Sequence, residues 1–458
     1  MLQDESTKPE AAGRWGRRFS ISGALFLFVL VIAGPIVHHH GEQQGSRYAL
    51  TAAIWDRHTV VLDDYNHVLG RDRAVIDGTI YSDKAPGQPF LMVPFYAVYR
   101  LVGGEPADVL RWDENLGLWW LTLWSAAIPG AILALLIYRW SREVEPETAL
   151  LATLGMSLGT LLLVYSTLLF GHVLAALFAF GMFLLVRQPT PSLSSLMAAG
   201  ALGGAAVLVE YPVALVIAVL VIAAFVKHGR RAIGAIAGGI PPALLLGIYN
   251  MRLFGKPFAF TYQWSAFGGP REDAREVVDI FAGPSLERLL HILFSGRGLF
   301  VASPVVVIAV LGLVMMWRKG MRFDAVVAAS AFLAMLAIQG SWENSYAGGA
   351  GPRYVVPALP FLAAPLAVAW RRWRLATPVV AAISVVTMLA ATFTKPQLPS
   401  DFEGGLGYWL TQGLAPTIYT IALGRAGWLV SVATIVGAAV LVRAASRRDI
   451  DLVGVGAS

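Results

Sequence analysis

An all-helical, polytopic membrane fold is what this sequence predicts, and three observations predict it. Apolar residues (AVILMFWYC) fill 57% of the 458 positions. Charged residues fill 14%, where a soluble domain carries about 25%. The mean hydropathy is +0.63. That much apolar surface exceeds what one soluble core encloses, so an ordinary soluble enzyme, a disordered chain and a coiled coil are excluded. At about 20 residues per transmembrane helix, the apolar supply suffices for about twelve spans.

The first element is an anchor. A tail over residues 1–20 carries Lys8, Arg14, Arg17 and Arg18, and the run Ile21 to Val37 follows without a small-x-small cleavage site. Basic residues ahead of a span hold that end in the cytoplasm. Further apolar runs follow at Leu116 to Tyr138, Ala149 to Tyr165, Leu169 to Val186, Leu196 to Val209, Pro212 to Val226 and Ala232 to Tyr249. The remainder are Leu299 to Trp317, Ala325 to Ile338, Tyr354 to Trp370, Pro378 to Phe393 and Gly427 to Val442.

Charge fixes the alternation of sides. Each inward turn is basic: Arg139 and Arg142; Arg187; Lys227, Arg230 and Arg231; Arg318, Lys319 and Arg322; Arg371, Arg372 and Arg374; Arg443, Arg447 and Arg448. The run Phe90 to Val102 therefore does not cross, since a span there would invert every later loop. It reads as a juxtamembrane or re-entrant helix. The domain plan is a cytoplasmic tail (1–20), one transmembrane domain (21–443) and a second cytoplasmic tail (444–458). Outer loops fall at 38–113, 251–298, 340–353 and 394–425.

The remaining composition narrows the class. The net charge of +6 fits basic cytoplasmic turns and needs no nucleic acid. With zero cysteines there are no disulfides, thiolate metal sites or cysteine nucleophiles. No Asn-x-Ser/Thr acceptor exists, which fits a prokaryotic source. The expected location is thus a bacterial plasma membrane, with polar chemistry facing the outside. A GxxxxGK[ST] phosphate loop is missing, and no internal repeat is apparent.

The first outer loop concentrates the chemistry. Glu42 lies about five residues beyond the anchor, where partial desolvation raises a carboxylate's proton affinity toward that of a base. Lys84 begins the stretch that returns to the membrane, at the depth of a lipid phosphate. Pro86 and Gly87 fix the turn behind it. Arg353 follows a glycine-rich turn and opens a span, so its guanidinium can grip a phosphate bidentately. His172 and Glu210 stand near outer helix ends, where ionisable groups are functional by default. Arg47 suits either a ligand or a carboxylate of the same loop, and Asp63 and Asp64 read first as turn residues before Tyr65. The consecutive His38, His39 and His40 do not converge as metal ligands. Trp342, Tyr346, Tyr262, Trp264 and Trp409 are outer-loop aromatics, read as an interfacial belt with room for one or two sugar-stacking platforms.

Glu42-Gln43-Gln44-Gly45-Ser46-Arg47-Tyr48 followed by Tyr81-Ser82-Asp83-Lys84-Ala85-Pro86-Gly87 resembles the first outer loop of the GT-C glycosyltransferases. The closer likeness is to their dolichyl-phosphate-mannose protein mannosyltransferase-like and aminoarabinose transferase-like branch. The likeness continues at Tyr165-Ser166-Thr167 with Gly171-His172, at Glu210-Tyr211-Pro212, at Gly296 to Phe300 with Ser303-Pro304, and at Gly351-Pro352-Arg353-Tyr354. It implies a GT-C-like fold and inverting transfer of one sugar from a polyprenyl-phosphate carrier to an acceptor hydroxyl of a lipid, glycan or protein. Glu42 then matches the general base and Lys84 the phosphate-holding lysine, with Arg47 and Arg353 as further phosphate contacts. Tyr48, Tyr81, His172, Glu210 and Tyr354 follow as substrate-binding residues. Where the family often has Asp-Glu, this chain has Glu42-Gln43, so Asp83 or the Asp63-Asp64 pair also stands as a candidate base.

Inverting substitution at an anomeric carbon needs a base within about 3 Å of the acceptor hydroxyl. It also needs cations on the departing phosphate, whose charge grows in the transition state. Lysine and arginine suffice for a lipid monophosphate, so no cofactor is required and a divalent metal is optional. Its candidate ligands are Glu42, Asp63, Asp64 and Asp83. The alternative reading is a transporter or flippase of a lipid-linked glycan, which calls for repeated, broken helices on both sides.

Overall fold

The computed structural model describes residues 20–107, 115–266, 280, 283–342, 349–398 and 404–455. Lys8, Arg14, Arg17, Arg18 and Tyr346 lie outside them. The molecule is a polytopic bundle of helices, and every apolar run picked out above is helical over most of its length. Among the described residues, six helical segments are long and apolar enough to cross a membrane: Leu116–Val144, Tyr211–Phe254, Arg322–Ser341, Arg353–Arg372, Ala376–Phe393 and Ile418–Arg447. The 44 residues of Tyr211–Phe254 amount to about 66 Å of helix, twice a hydrocarbon core. They are interrupted at Gly229, whose φ of +55° ends the first half beside Arg230 and Arg231. Shorter apolar helices are α1 (Ile21–Ala33), Ala149–Leu158, His172–Val186 and Leu193–Val209.

The basic turns gather at one end. Arg187 donates to Asp324 at 3.1 and 3.2 Å and to Glu143, and Lys227 donates to the Arg187 carbonyl. Glu145 accepts from Lys319 at 2.6 Å and Arg371 at 2.8 Å. Ile21 shares one apolar cluster with Tyr138, Ala149, Val442 and Ala445, so the first and last helices begin and finish at this end.

The long loops meet at the other end. Val37 N–H donates to the Pro416 carbonyl and Ile418 N–H to that of Pro35, closing the bundle between its first and last helices. His38 bonds Thr167 at 3.0 Å, and Gln44 accepts from Leu169 N–H at 2.9 Å. The first loop holds α2 (Glu42–Asp56) and the helix Gly87–Leu101 over a core of Leu50, Leu62, Tyr65, Met92, Tyr96 and Leu118. The 15 residues of Gly87–Leu101 span about 22 Å, short of a crossing. Gly87 abuts the backbone at Leu208, while Tyr96 and Arg100 bond Asp56 at the end of α2.

Two expectations need correction. Ala149 to Tyr165 is not one helix: it breaks at Gly159-Thr160, where the Thr160 hydroxyl accepts from Leu162 N–H and starts a new turn. Leu299 to Trp317 breaks at Ser303-Pro304, because proline has no N–H to continue the ladder, and Leu286–Ala302 meets Val305–Arg318 at 88°. The span opening at Arg353 likewise begins as a 3-10 turn over Arg353–Leu362, with Pro357 and Pro360 inside it. The breaks at Gly159-Thr160 and Ser303-Pro304 both pack on Ser384, midway along Ala376–Phe393. Irregular backbone at membrane depth persists where it is buried in protein or lines a cavity.

The structure also adds a feature unforeseen in the all-α reading, a hairpin of β1 (Arg73–Ile76) and β2 (Thr79–Ser82). Asp77 and Gly78 both take positive φ, 48° and 78°, as a two-residue turn of primed type demands.

Candidate functional site

The hairpin sets the site's register. Arg73 pairs with Ser82, so the residues just outside the ladder, Asp72 and Asp83, are brought together. Lys84 follows, and its ammonium donates to Asp72 Oδ1 at 2.6 Å and Asp83 Oδ2 at 3.1 Å. The loop around Ser265 docks on β1, since Ala266 N–H donates to the Arg73 carbonyl. From there the Ser265 hydroxyl donates to Asp83 Oδ2 at 3.0 Å, and the Thr261 hydroxyl donates to the Asp83 carbonyl at 2.7 Å.

Burial and neighbouring charge together act on Asp83 and Lys84. Burial pushes the Asp83 carboxyl above the usual carboxylate range, because the neighbouring Lys84 charge does not fully offset desolvation and Asp72 adds to it. Burial alone would pull Lys84 down, but Asp72 and Asp83 outweigh it and hold the ammonium above the ordinary lysine value. Lys84 is therefore a permanent buried cation.

A second pair lies across the aperture. On α2, the face carrying Gln44, Arg47 and Thr51 looks into the bundle. Arg47 forms a sealed ion pair with Glu210, which caps the helix Leu193–Val209. Burial would raise the Glu210 carboxyl, yet Arg47, with help from His172 and Arg353, holds it below the usual range. His172 opens the next helix with Nδ1 3.6 Å from Glu210 Oε1. Arg353 lies 5.7 Å from the ring centre of Phe170 and 5.4 Å from that of Tyr354.

Aromatic rings connect the two pairs. Tyr211, Tyr262, Trp342, Tyr354 and His172 follow one another at ring separations of 5.3 to 5.8 Å. Arg47, Lys84 and Arg353 all lie within electrostatic range of His172. Among the described residues, several buried polar atoms there lack a hydrogen-bond partner: Arg47 Nε and Nη1, Asp83 Oδ1 and both ring nitrogens of His172. Buried donors and acceptors are normally satisfied, so these atoms are available to a polar ligand.

Asp83, Lys84, Arg47, His172, Glu210, Arg353 and Tyr354 thus come together, and Tyr81 lies beside them on β2. Arg47 meets Glu210 from another loop, not a carboxylate of its own. Glu42 stands apart at the solvent rim. Its side chain is 40% exposed, lies against Gly70 and approaches Arg71 Nε at 3.9 Å. Tyr48 belongs to the loop's core, edge-on to Tyr96 at 5.7 Å. Asp63 accepts from Ile80 N–H and Asp64 pairs with Arg57 at the surface. Glu42, Asp63, Asp64 and Asp83 therefore do not form a ligand set, and no group of three His, Cys, Asp or Glu converges among the described residues. Of the loop aromatics, Trp264 stacks on Phe254 and Trp409 is fully buried, leaving Tyr262 and Trp342 in the ring wall. Asp72 was missed, although the Asp77-Gly78 turn carries the signal that finds it.

Solved structures share this arrangement of helices. ArnT from Cupriavidus metallidurans in the apo state superposes with a TM-score of 0.52 at 15% identity, over 93% of this chain and 73% of that one. The chain has the GT-C fold. The same ArnT bound to undecaprenyl phosphate gives a TM-score of 0.49 at 14% identity over the same shares. The Archaeoglobus fulgidus oligosaccharyltransferase gives 0.44 at 13% identity, over 92% of this chain and 56% of that one. By sequence, neither a protein-family model nor a curated protein matches. In the GT-C fold of this chain, Lys84 and Arg47 lie at the loop end.

Proposed function

We propose that the protein is an inverting glycosyltransferase that moves one sugar from a polyprenyl-phosphate donor to an acceptor hydroxyl at the loop end of the bundle. That end is assigned to the outer face of a bacterial plasma membrane. The observation carrying this reading is Lys84. A permanent buried cation at the start of a helix that never crosses sits where a lipid's phosphate arrives, and Arg47 and Arg353 lie with it within electrostatic range of His172.

The chemistry follows from the geometry. Transfer breaks the bond between the anomeric carbon and the phosphate oxygen, so the phosphate gains a negative charge as it departs. Lys84 and Arg353 are fixed donors for that growing charge and need no reorganisation. The ring wall of Tyr262, Trp342 and Tyr354 offers faces for the sugar, and the unpartnered nitrogens of His172 offer polar contacts to its hydroxyls. The sugar is a hexose or a pentose, and the acceptor a lipid, glycan or protein hydroxyl. A transporter is disfavoured because no internal repeat is apparent in the sequence.

Purified protein supplied with a polyprenyl-phosphate sugar and an envelope extract should release the lipid phosphate. Lys84→Met should slow that release by about 100-fold or more. Release that is unchanged in Lys84→Met, or lipid moved across the bilayer without cleavage, would overturn the proposal.

A further inference from the structure

Asp72 holds Lys84 more closely than any other described group, at 2.6 Å, and it alone of the site's carboxylates is open to solvent. Its side chain is 14% exposed, against 2% for both Asp83 and Glu210. Glu210 is committed to Arg47, and Asp83 to Lys84 and Ser265. Glu42 faces Arg71 at the rim. Lys84 already serves two carboxylates, so a donor phosphate brings a third anion to one buried ammonium. Of the two carboxylates, Asp72 is the one open to solvent, and it is the one that gives way to the phosphate. The displaced side chain stays tethered beside the phosphate, on the solvent side from which an acceptor enters. Gly70, two residues upstream with φ +54°, gives the tether its turn.

We propose that Asp72 stands in for the donor phosphate on Lys84 in the free enzyme and, once displaced, is the base that deprotonates the acceptor. This rests on the glycosyltransferase reading above. In the step, the acceptor oxygen bonds to the anomeric carbon as the bond from that carbon to the phosphate oxygen breaks. The bonding pair goes to the phosphate, whose charge rises from one to two negative, and the acceptor's proton goes to Asp72. Donor thus binds before acceptor, because the base is released only when the phosphate arrives.

The test uses the full chain in lipid nanodiscs, with undecaprenyl phosphate as the binding probe and the sugar-loaded lipid as substrate. Asp72→Asn should bind undecaprenyl phosphate at least about threefold more tightly, a competitor for Lys84 having gone. It should transfer to a hydroxyl acceptor about 10²- to 10⁴-fold more slowly. Transfer to azide, a nucleophile with no proton to lose, should persist near the wild-type rate, which a merely structural role would not allow. Asp72→Ser is the second variant should the amide disturb folding. Unchanged or weaker lipid-phosphate binding overturns the stand-in role. Undiminished hydroxyl transfer, or equal losses with azide and hydroxyl, overturns the base. A wild-type chain that binds no polyprenyl phosphate overturns the glycosyltransferase reading itself, whereas a competent wild type with an indifferent Asp72→Asn overturns only this inference.

Discussion

Arg47 and Glu210 are sealed from solvent together, and such a pair is worth little as a whole and much when halved. Two buried charges recover their desolvation cost mainly from each other, so removing one strands the other. Glu210→Met should therefore lower stability by about 3 to 5 kcal/mol, while the double variant Arg47→Met with Glu210→Met should regain most of it. Thermal unfolding in detergent measures both. A double variant no more stable than Glu210→Met would mean that the two side chains act independently. The residues of this pair were legible in the sequence one at a time, each as an ionisable group near an outer helix end. Their pairing was not, because 163 positions separate them and neither local period nor spacing encodes the contact. Asp72 went unread for a different reason, since only the hairpin register signalled by the Asp77-Gly78 turn carries it to Lys84. Glu42 shows the converse, since its position just past the anchor suggested a base, yet the helix it starts turns Gln44, Arg47 and Thr51 inward and leaves Glu42 at the rim.

At the scale of elements, Glu145 joins three turns by accepting from Lys319 and Arg371 at the end opposite the site. Burial would raise its carboxyl, but those two hydrogen bonds outweigh burial and hold it below the usual glutamate range. The linkage sign follows from the lowered value. The contribution to stability is complete above the ordinary glutamate value near about 4.3 and is lost as pH falls through the depressed folded one. The melting temperature of the wild type should thus drop with acidification in that window, and Glu145→Gln should begin a few degrees lower and lose that part of the dependence. Parallel acid profiles in the two proteins would remove Glu145 as the cause. The basic members of these turns were legible from charge alone, because the positive-inside bias is a property of composition near span ends. Breaks at Gly159-Thr160 and Ser303-Pro304 were hidden within continuous apolar runs, where hydropathy carries no phase.

Across the whole molecule, the two ends differ in kind. One is a set of short, basic, ion-paired turns, and the other is a folded cap of loops over buried cations. Between them, helices approach closely where small residues permit it. Gly200 lies against the Ala235 backbone and Gly238 against that of Met197, leaving no room for a side chain at either. This asymmetry makes sidedness a physical prediction, since translocating a basic turn against the membrane potential is the costly direction. A chain without cysteine allows a clean test, because a single introduced thiol is the only reactive one. Glu105 is exposed at the loop end, just after the helix Gly87–Leu101, and Arg372 is exposed among the basic turns. In intact spheroplasts, Glu105→Cys should react with a membrane-impermeant maleimide, while Arg372→Cys should react only after permeabilisation. The reverse pattern would put Lys84 and its partners on the cytoplasmic face, where a lipid-linked donor would have to be used before it is flipped outward. Equal labelling of both thiols in sealed spheroplasts would mean that the two ends are not on opposite sides at all, and the bundle would have to be threaded differently through the bilayer.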